Sequence, residues 1–290
     1  MTLRDHLQLL SCPNDGSPLA LSGSGGLHCA GCGARFPLLE NDLVELMPSQ
    51  FPSWGAQEDG SALAKVEQAY HGIFMIKFAW IENPVGWGSF STASAGYRAF
   101  VNEEFKLILK LLAPSPTAIA VDVSGGVGNY SVPLAGHVAA MFHCELDPES
   151  IQAAYRRGAR KNMVFIRTPY LKLPFRSGSV DHVICTDTLI RGPEHELRLL
   201  SEITRILKKG GRAVVDLHNS PLFFSNKAVY SYTSGRLRSL LEDAHIDSYE
   251  LFPFGHIPLA LVPNDPLFRL LNRLCGGVIP CQRHVVTFIK

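Results

Sequence analysis

The strongest constraint on the fold is the segment 119–148, in which two apolar runs flank a turn of small residues. The first run ends in Asp122 and enters a Ser/Gly-rich turn at residues 124–128, and the second run ends in Glu145. Small residues let the backbone bend sharply and come close to a ligand. The segment therefore predicts a strand, a tight turn, a helix and a second strand, an arrangement typical of open α/β sheets.

Strands and helices alternate from Ala118 onward. The predicted strands lie near residues 118–123, 139–145, 163–167, 181–186, 212–218, 247–253 and 284–290. Asp147 precedes Pro148 at one predicted helix start, and Pro193 opens another helix that is expected to end at Gly210-Gly211. Such alternation predicts that residues 113–290 form a Rossmann-like α/β domain, with a seven-stranded, mostly parallel sheet and helices on both faces.

Composition narrows the class of protein. A chain of 290 residues that is 46% hydrophobic is long enough for one large α/β domain and a small appendage. A net charge of +1 gives no broad electrostatic attraction for nucleic acid. The N-terminal residues lack the apolar run of a signal peptide, and three prolines interrupt the weakly charged stretch 251–265. We therefore expect a cytoplasmic protein without a transmembrane segment.

Residues 1–48 contain cysteines at metal-ligand spacing, and in a cytoplasmic chain such cysteines indicate metal binding more than disulfides. Cys29 and Cys32 are two residues apart and precede a glycine, which is typical of a zinc knuckle. A second knuckle is incomplete, because Cys12 is followed by Asp15 where another cysteine would stand. We expect these four residues to form a mixed zinc site.

Two alternatives remain open for this module. His28 could supply the fourth ligand in place of the carboxylate, or the module could fold on its small core without metal.

Residues 49–62, rich in Ser, Pro, Gly and Gln, are a predicted linker. Residues 63–112 show apolar spacing typical of helices.

Several short motifs follow one another in a fixed order across residues 118–218. After the glycine turn and Glu145 come Leu173-Pro-Phe175, Ser179-Val-Asp181 and Arg205-Ile-Leu-Lys-Lys-Gly-Gly211. In this order they resemble the class I S-adenosylmethionine-dependent methyltransferases, and among them the branch with the ubiquinone and menaquinone biosynthesis C-methyltransferases. Residues 1–48 resemble the zinc-ribbon subunit that activates several RNA and protein methyltransferases.

The resemblance implies a binding site for S-adenosylmethionine. It assigns Asp122 to the methionyl amino group and Glu145 to the ribose hydroxyls, while Ser124 replaces the first glycine of the family turn. The full implied set is Asp122, Ser124, Gly126, Gly128, Glu145 and Thr186. The family often has an acid after the third strand that reads the adenine, but none occurs here between Ile166 and Lys172. Thr168 or a backbone group would take its place, or cofactor binding is lost.

The resemblance also implies a lid over the cofactor and acceptor, formed by residues 63–112, and a C-terminal antiparallel hairpin. The lid candidates are Tyr70, His71, Trp80, Trp87 and Tyr97. Candidates for a general base are His71, Tyr97, Asp187 and His218. Asp187 follows the predicted fourth strand and His218 the fifth, and ligands bind at the carboxyl ends of parallel strands.

The sequence therefore predicts methyl transfer from S-adenosylmethionine to a small, apolar or aromatic acceptor, by a chain that could form a homodimer. One alternative is an RNA methyltransferase whose ribbon grips nucleic acid. The basic residues that would favour it are Arg156, Arg157, Arg160, Lys161 and Arg167. The other alternative is a binding module that keeps the fold without turnover.

Overall fold

The computed structural model describes residues 3–23, 25–39, 43–49, 95–189, 191–219, 230–256, 265–275 and 281–290. The helices are α1 (Ala95–Leu112), α2 (Ser131–Leu134), α3 (Pro148–Gly158), α4 (Pro193–Ile206), α5 (Ser234–Asp243) and α6 (Asp265–Cys275), and a 3₁₀ helix spans Leu3–Leu9. The strands are β1 (Leu19–Leu21), β2 (Leu27–Cys29), β3 (Arg35–Phe36), β4 (Leu43–Glu45), β5 (Ile119–Val123), β6 (Ala140–Glu145), β7 (Met163–Arg167), β8 (Val180–Leu189), β9 (Leu207–His218), β10 (Tyr249–Phe254) and β11 (Arg283–Ile289).

Within the described residues, the main sheet has eight strands in the order β10-β11-β9-β8-β5-β6-β7-β4. All pairs from β9 to β4 are parallel, whereas β11 runs antiparallel to both β9 and β10. This confirms the predicted α/β class, the mostly parallel sheet and the C-terminal hairpin. All seven predicted strands are present, and β4 adds an eighth.

The eighth strand comes from the N-terminal region, whose β1, β2 and β3 form a separate antiparallel sheet. Val44 pairs with Ile166 on β7, and the N–H of Leu46 donates to the carbonyl of Arg167 at 2.9 Å. A second contact joins Leu10 to Phe175 by an antiparallel bridge. The N-terminal region is thus attached to one edge of the main sheet, while a domain boundary at residue 48 stays a prediction.

Helix boundaries follow local signals only in part. Asp147 caps α3 as predicted, since its carboxylate accepts from the N–H groups of the next turn. The predicted end of α4 at Gly210-Gly211 is wrong: the helix ends at Ile206, because Leu207 already pairs with Val180 as β9 begins. In the predicted helical region 63–112, the described part from residue 95 forms α1.

The main sheet separates two apolar layers. One contains Phe142, Phe175 and the inner faces of α4 and α5, and the other contains α1, α3 and Phe268 of α6. Burial on both faces explains why the parallel strands are almost continuously apolar. None of the helices in the described ranges is long and apolar enough to cross a membrane.

Candidate functional site

The turn after β5 has the backbone conformation that its small residues predict. Ser124, Gly126 and Gly128 have positive φ angles of 58°, 53° and 76°. A Cβ atom on Gly126 would meet nothing within 4 Å, so this side of the turn is open to a ligand. A Cβ atom on Gly125 would lie 2.5 Å from the His143 ring and 2.7 Å from Asp122 Oδ2. Gly125 therefore cannot carry a side chain without local rearrangement, a requirement that the sequence pattern did not single out.

Glu145 ends β6 beside this turn. Its Oε2 accepts from the N–H of Gly126 at 2.9 Å, and its Oε1 accepts from the N–H groups of Leu146 at 2.7 Å and Asp147 at 3.0 Å. A carboxylate has about four acceptor positions, so Oε2 retains one for a ligand hydroxyl. The carboxylate thereby holds the glycine turn and the start of the next loop together.

Asp122 is fully buried beneath the turn. Neither carboxylate oxygen makes a hydrogen bond of ordinary geometry with a described residue, although the hydroxyl and N–H of Ser131 lie close enough to favour the charged form. Burial raises the pKa of Asp122 to about 7. The hydroxyl oxygen of Ser131 also lies 2.8 Å from His143 Nδ1. Burial lowers the pKa of His143 to about 4. Three polar side chains thus meet below the turn in an apolar environment.

The family often has an acid after the third strand that reads the adenine. The corresponding stretch here, from Ile166 to Lys172, contains no carboxylate. Thr168 is buried, and its hydroxyl donates to the carbonyl of Pro169 at 3.3 Å. Thr186, the remaining predicted cofactor residue, is buried on β8. The assignment of both threonines to cofactor binding stays a prediction.

A second polar cluster lies where β8, β9 and β11 meet, and Arg283 is its centre. The guanidinium binds Glu104 Oε2 at 3.0 Å, Asp216 Oδ2 at 2.7 Å and Asp187 Oδ1 at 2.6 Å. The hydroxyl of Tyr130 also donates to Glu104 Oε2. Three acidic side chains thus surround one buried cation.

The pKa values of the three acids in this cluster shift in different directions. Burial raises the pKa of Asp216 to about 7 and also raises that of Glu104, despite the nearby guanidinium. Burial acts on Asp187 in the same direction, but the charge of Arg283 and the hydrogen bond from His218 outweigh it and hold its pKa well below the ordinary range. Asp187 is therefore the acid of this cluster that stays ionised.

An irregularity in β8 aims Asp187 into the cluster. Pairing between β8 and β9 shifts between Cys185 and Leu189, and Asp187 has a left-handed φ of 58°. Its N–H donates to Asp216 Oδ1 at 2.6 Å, which fixes this conformation. Bulges of this kind are common beside active sites because they redirect a side chain.

The structure brings together two of the four candidate bases. His218 Nε2 lies 3.0 Å from Asp187 Oδ1. His71 lies outside the described residues, and Tyr97 is described only as part of the α1 backbone. Sequence reasoning missed Glu104, Asp216 and Arg283, whose only local signal is a charge within an apolar helix or strand.

The predicted metal ligands also converge. One ligand atom from each of Cys12, Asp15, Cys29 and Cys32 lies within 4.8 Å of every other. Cys12 Sγ and Cys32 Sγ are 3.7 Å apart, and Cys29 Sγ is 3.4 Å from Asp15 Oδ1. A Cβ atom on Gly31 would lie 2.5 Å from Asp15 Oδ2, so the glycine leaves room for the carboxylate.

The basic residues named for an RNA-binding face are largely engaged within the chain. Arg157 donates to Asn129 and to the carbonyl of Val127, and Arg160 donates to the carbonyl of Val132. Arg167 pairs with Glu45 of β4 at 2.6 Å. These contacts brace the segment after the glycine turn and the attachment of β4.

Sequence comparisons identify residues 121–215 as a match to the family model described as a methyltransferase domain. A demethylmenaquinone methyltransferase of Beutenbergia cavernae is 28% identical over 124 residues, which are 43% of this chain and 50% of that protein. The ubiquinone/menaquinone biosynthesis C-methyltransferase of Coxiella burnetii is 27% identical over 182 residues, 56% of this chain and 72% of that protein. The chain thus spans only half the length of the first of these relatives.

Solved structures share the fold at low sequence identity. The magnesium protoporphyrin IX methyltransferase of Synechocystis, solved with bound SAH, has a TM-score of 0.51 and 16% identity, over 79% of this chain and all of that chain. A possible histamine N-methyltransferase of Thermotoga maritima has a TM-score of 0.50 and 19% identity, over 67% of this chain and 91% of that chain.

Proposed function

Because the chain carries a class I, S-adenosylmethionine-dependent methyltransferase domain, we propose that it transfers a methyl group from S-adenosylmethionine to a small, apolar or aromatic acceptor. The observation that carries the proposal is the geometry of Glu145 beside the open Gly126 turn, within the residues that match the family model. The named relatives act on quinone precursors, which supports an aromatic acceptor.

The residues around the turn fit the cofactor. Glu145 Oε2 has one acceptor position left for a ribose hydroxyl, and the open face of Gly126 admits a ligand close to the backbone. No described residue gives the buried carboxylate of Asp122 a hydrogen bond of ordinary geometry, and an ammonium group, directly or through water, would supply one. S-adenosylmethionine brings an activated methyl group, while the protein binds it, aligns the acceptor and excludes water.

Glu145→Gln is expected to weaken S-adenosylmethionine and S-adenosylhomocysteine binding at least about tenfold, or ~1.4 kcal/mol, because the ribose would lose a charged acceptor. Isothermal titration calorimetry measures this directly. Glu149→Gln is the matched control, since Glu149 is exposed in the next helix and should bind the cofactor as the wild type does. A folded wild-type protein that binds neither compound would instead favour the non-catalytic module.

A second proposal is that Cys12, Asp15, Cys29 and Cys32 bind zinc. Tetrahedral zinc with Zn–S bonds of about 2.3 Å and Zn–O bonds of about 2.0 Å requires S···S distances of about 3.8 Å and S···O distances of about 3.5 Å. The 3.7 Å and 3.4 Å separations agree with these values. The N–H groups of Asn14 and Cys32 point at Cys12 Sγ and Cys29 Sγ, as in thiolate knuckles.

We expect the purified protein to contain about one zinc per chain. Cys29→Ser should lose it, because two thiolates and a carboxylate bind zinc more weakly. Elemental analysis by mass spectrometry after dialysis measures the content. Cys281→Ser, which removes a thiol outside the cluster, should keep its zinc. Equal zinc in the two variants, or none in the wild type, would contradict a site at these ligands.

A further inference from the structure

We propose that the acceptor carries an acidic hydroxyl, as a phenol or hydroquinone does, and that Nδ1 of His218 removes its proton while Asp187 and Arg283 position the imidazole. The inference rests on the proposed methyl transfer and narrows its acceptor class. It starts from the hydrogen bond between His218 Nε2 and Asp187 Oδ1, 3.0 Å long.

This hydrogen bond sets the tautomer of His218. Asp187 is ionised, since its pKa lies well below the ordinary range, and an ionised carboxylate can only accept. Nε2 must therefore carry the proton that it donates, which leaves Nδ1 of the neutral ring as an acceptor with a free electron pair. No described residue forms a hydrogen bond with Nδ1. A carboxylate commonly fixes the tautomer and orientation of a histidine that acts as a general base; here the carboxylate holds Nε2, which makes Nδ1 the basic atom.

Asp187 is itself held on several sides. Arg283 Nη2 donates to the same Oδ1 at 2.6 Å, and the left-handed backbone is fixed by the N–H bond to Asp216. Arg283 cannot turn away, because Glu104 and Asp216 bind its other nitrogen and its Cζ lies 4.7 Å from the centre of the Phe100 ring. The position of the imidazole is thus set by residues from α1, β8, β9 and β11.

The pair formed by His218 and Asp187 lies at the edge of the sheet where ligands bind in open α/β folds. His218 ends β9 and Asp187 lies near the end of β8, at the same carboxyl edge as the glycine turn and Glu145. Their side chains are 33% and 34% exposed, whereas Arg283, Glu104 and Asp216 are almost fully buried. A purely structural ion pair would not need its histidine at the accessible end of the cluster. In the described residues, His218 binds Asp187, interacts electrostatically with Asp216 and lies opposite Arg283 in the strand pairing, and Glu104 joins the cluster through Arg283.

The chemistry is balanced without a further reagent. The acceptor O–H bond breaks, its proton passes to Nδ1, and the electron pair remains on the acceptor. The oxygen, or a ring carbon made electron-rich by it, forms a bond to the methyl carbon as the carbon–sulfur bond breaks and its electron pair goes to sulfur. For attack by carbon, loss of the ring proton restores the aromatic system, and the proton held on Nδ1 returns to the oxygen. One proton leaves to solvent, which balances the loss of the sulfonium charge.

The test uses 4-nitrophenol as a chromogenic probe, added to the 290-residue chain with S-adenosylhomocysteine at a pH at which the free probe is mainly protonated. We expect the wild type to produce the absorption band of bound phenolate. His218→Gln should reduce this band at least about tenfold, because it removes the base. Asp187→Asn should reduce it as well, because the amide N–H of asparagine can donate to Nε2 of His218 and move the ring proton to Nδ1. Asp187→Glu, which keeps the charge, should restore part of it. His137→Gln is the matched control, since His137 is exposed at the opposite, amino end of β6.

Calorimetric titration with S-adenosylhomocysteine separates this inference from the proposed function. Variants that bind S-adenosylhomocysteine as the wild type does, yet lose the phenolate band, support the assignment. A wild type that binds S-adenosylhomocysteine without a phenolate band, or a band that persists in His218→Gln, overturns it while leaving the methyltransferase proposal intact. A folded wild type that does not bind S-adenosylhomocysteine refutes the proposed function itself.

Discussion

Removal of residues 1–48 is expected to leave a chain that aggregates instead of folding to a monomer. The deletion takes away β4 and exposes the backbone groups of β7, which become an unprotected sheet edge. It also removes three fully buried side chains, Leu10, Val44 and Leu46, and uncovers Phe175. Burial of an aliphatic side chain contributes about 2 kcal/mol, so the loss exceeds ~5 kcal/mol and approaches the total stability of many domains.

Size-exclusion chromatography with light scattering measures the outcome for the truncated chain. Val44→Asp tests the same contact in the full chain, where a buried charge beside β7 should lower the melting temperature or prevent soluble expression. Leu39→Asp is the control, because Leu39 is 43% exposed and should tolerate the charge. A monomeric truncated protein with wild-type stability would show that the N-terminal region is dispensable for folding.

Arg283→Met is expected to cost about 3–5 kcal/mol of stability at neutral pH, although methionine has a similar length. The substitution leaves Glu104, Asp187 and Asp216 close together without the cation that they share. Breaking a buried ion pair from one side is costly because the remaining charges stay desolvated. Arg269→Met is the matched control, since Arg269 is 49% exposed and its pair with Glu103 should contribute under ~1 kcal/mol.

The loss should grow as the pH rises. In the wild type, the depressed pKa of Asp187 contributes stability above its ordinary pKa, and this contribution is lost as the pH falls. Without Arg283 that contribution shrinks to what His218 supplies, and the already raised pKa values of Asp216 and Glu104 rise further. Folding then opposes ionisation of these acids, at ~1.4 kcal/mol per pH unit for each acid between its unfolded and folded pKa. Urea unfolding at pH 5 and pH 8 should show the larger deficit at pH 8; an equal deficit would argue against shared charge compensation.

Local features of the sequence predicted the strands and the first half of the candidate site. The turn at residues 124–128, Glu145 at a strand tip and the Asp147 cap depend on neighbours within a few residues, and short-range patterns record such constraints. The convergence of Cys12 and Asp15 with the second knuckle was also predictable, because thiolate spacing reflects metal geometry.

The remaining features depend on contacts between distant parts of the chain. A three-residue strand such as β4 has too little pattern to show that it pairs with β7, more than one hundred residues later. Glu104 and Arg283 are separated by 179 positions, and neither belongs to a motif. The irregularity that aims Asp187 is a property of β8 paired with β9, which no single segment encodes. These features follow from topology, which local propensity does not determine.

The position of β11 has a consequence for synthesis on the ribosome. This strand lies between β9 and β10, yet it is made after every other strand of the main sheet. Until residues 283–289 emerge from the ribosome, β9 and β10 have no strand between them. Glu104, Asp187 and Asp216 likewise lack the guanidinium of Arg283 until then. The nascent chain therefore keeps a gap between β9 and β10 until β11 inserts and joins the two parts of the sheet. Before that, the unpaired strand edges are exposed and can bind chaperones.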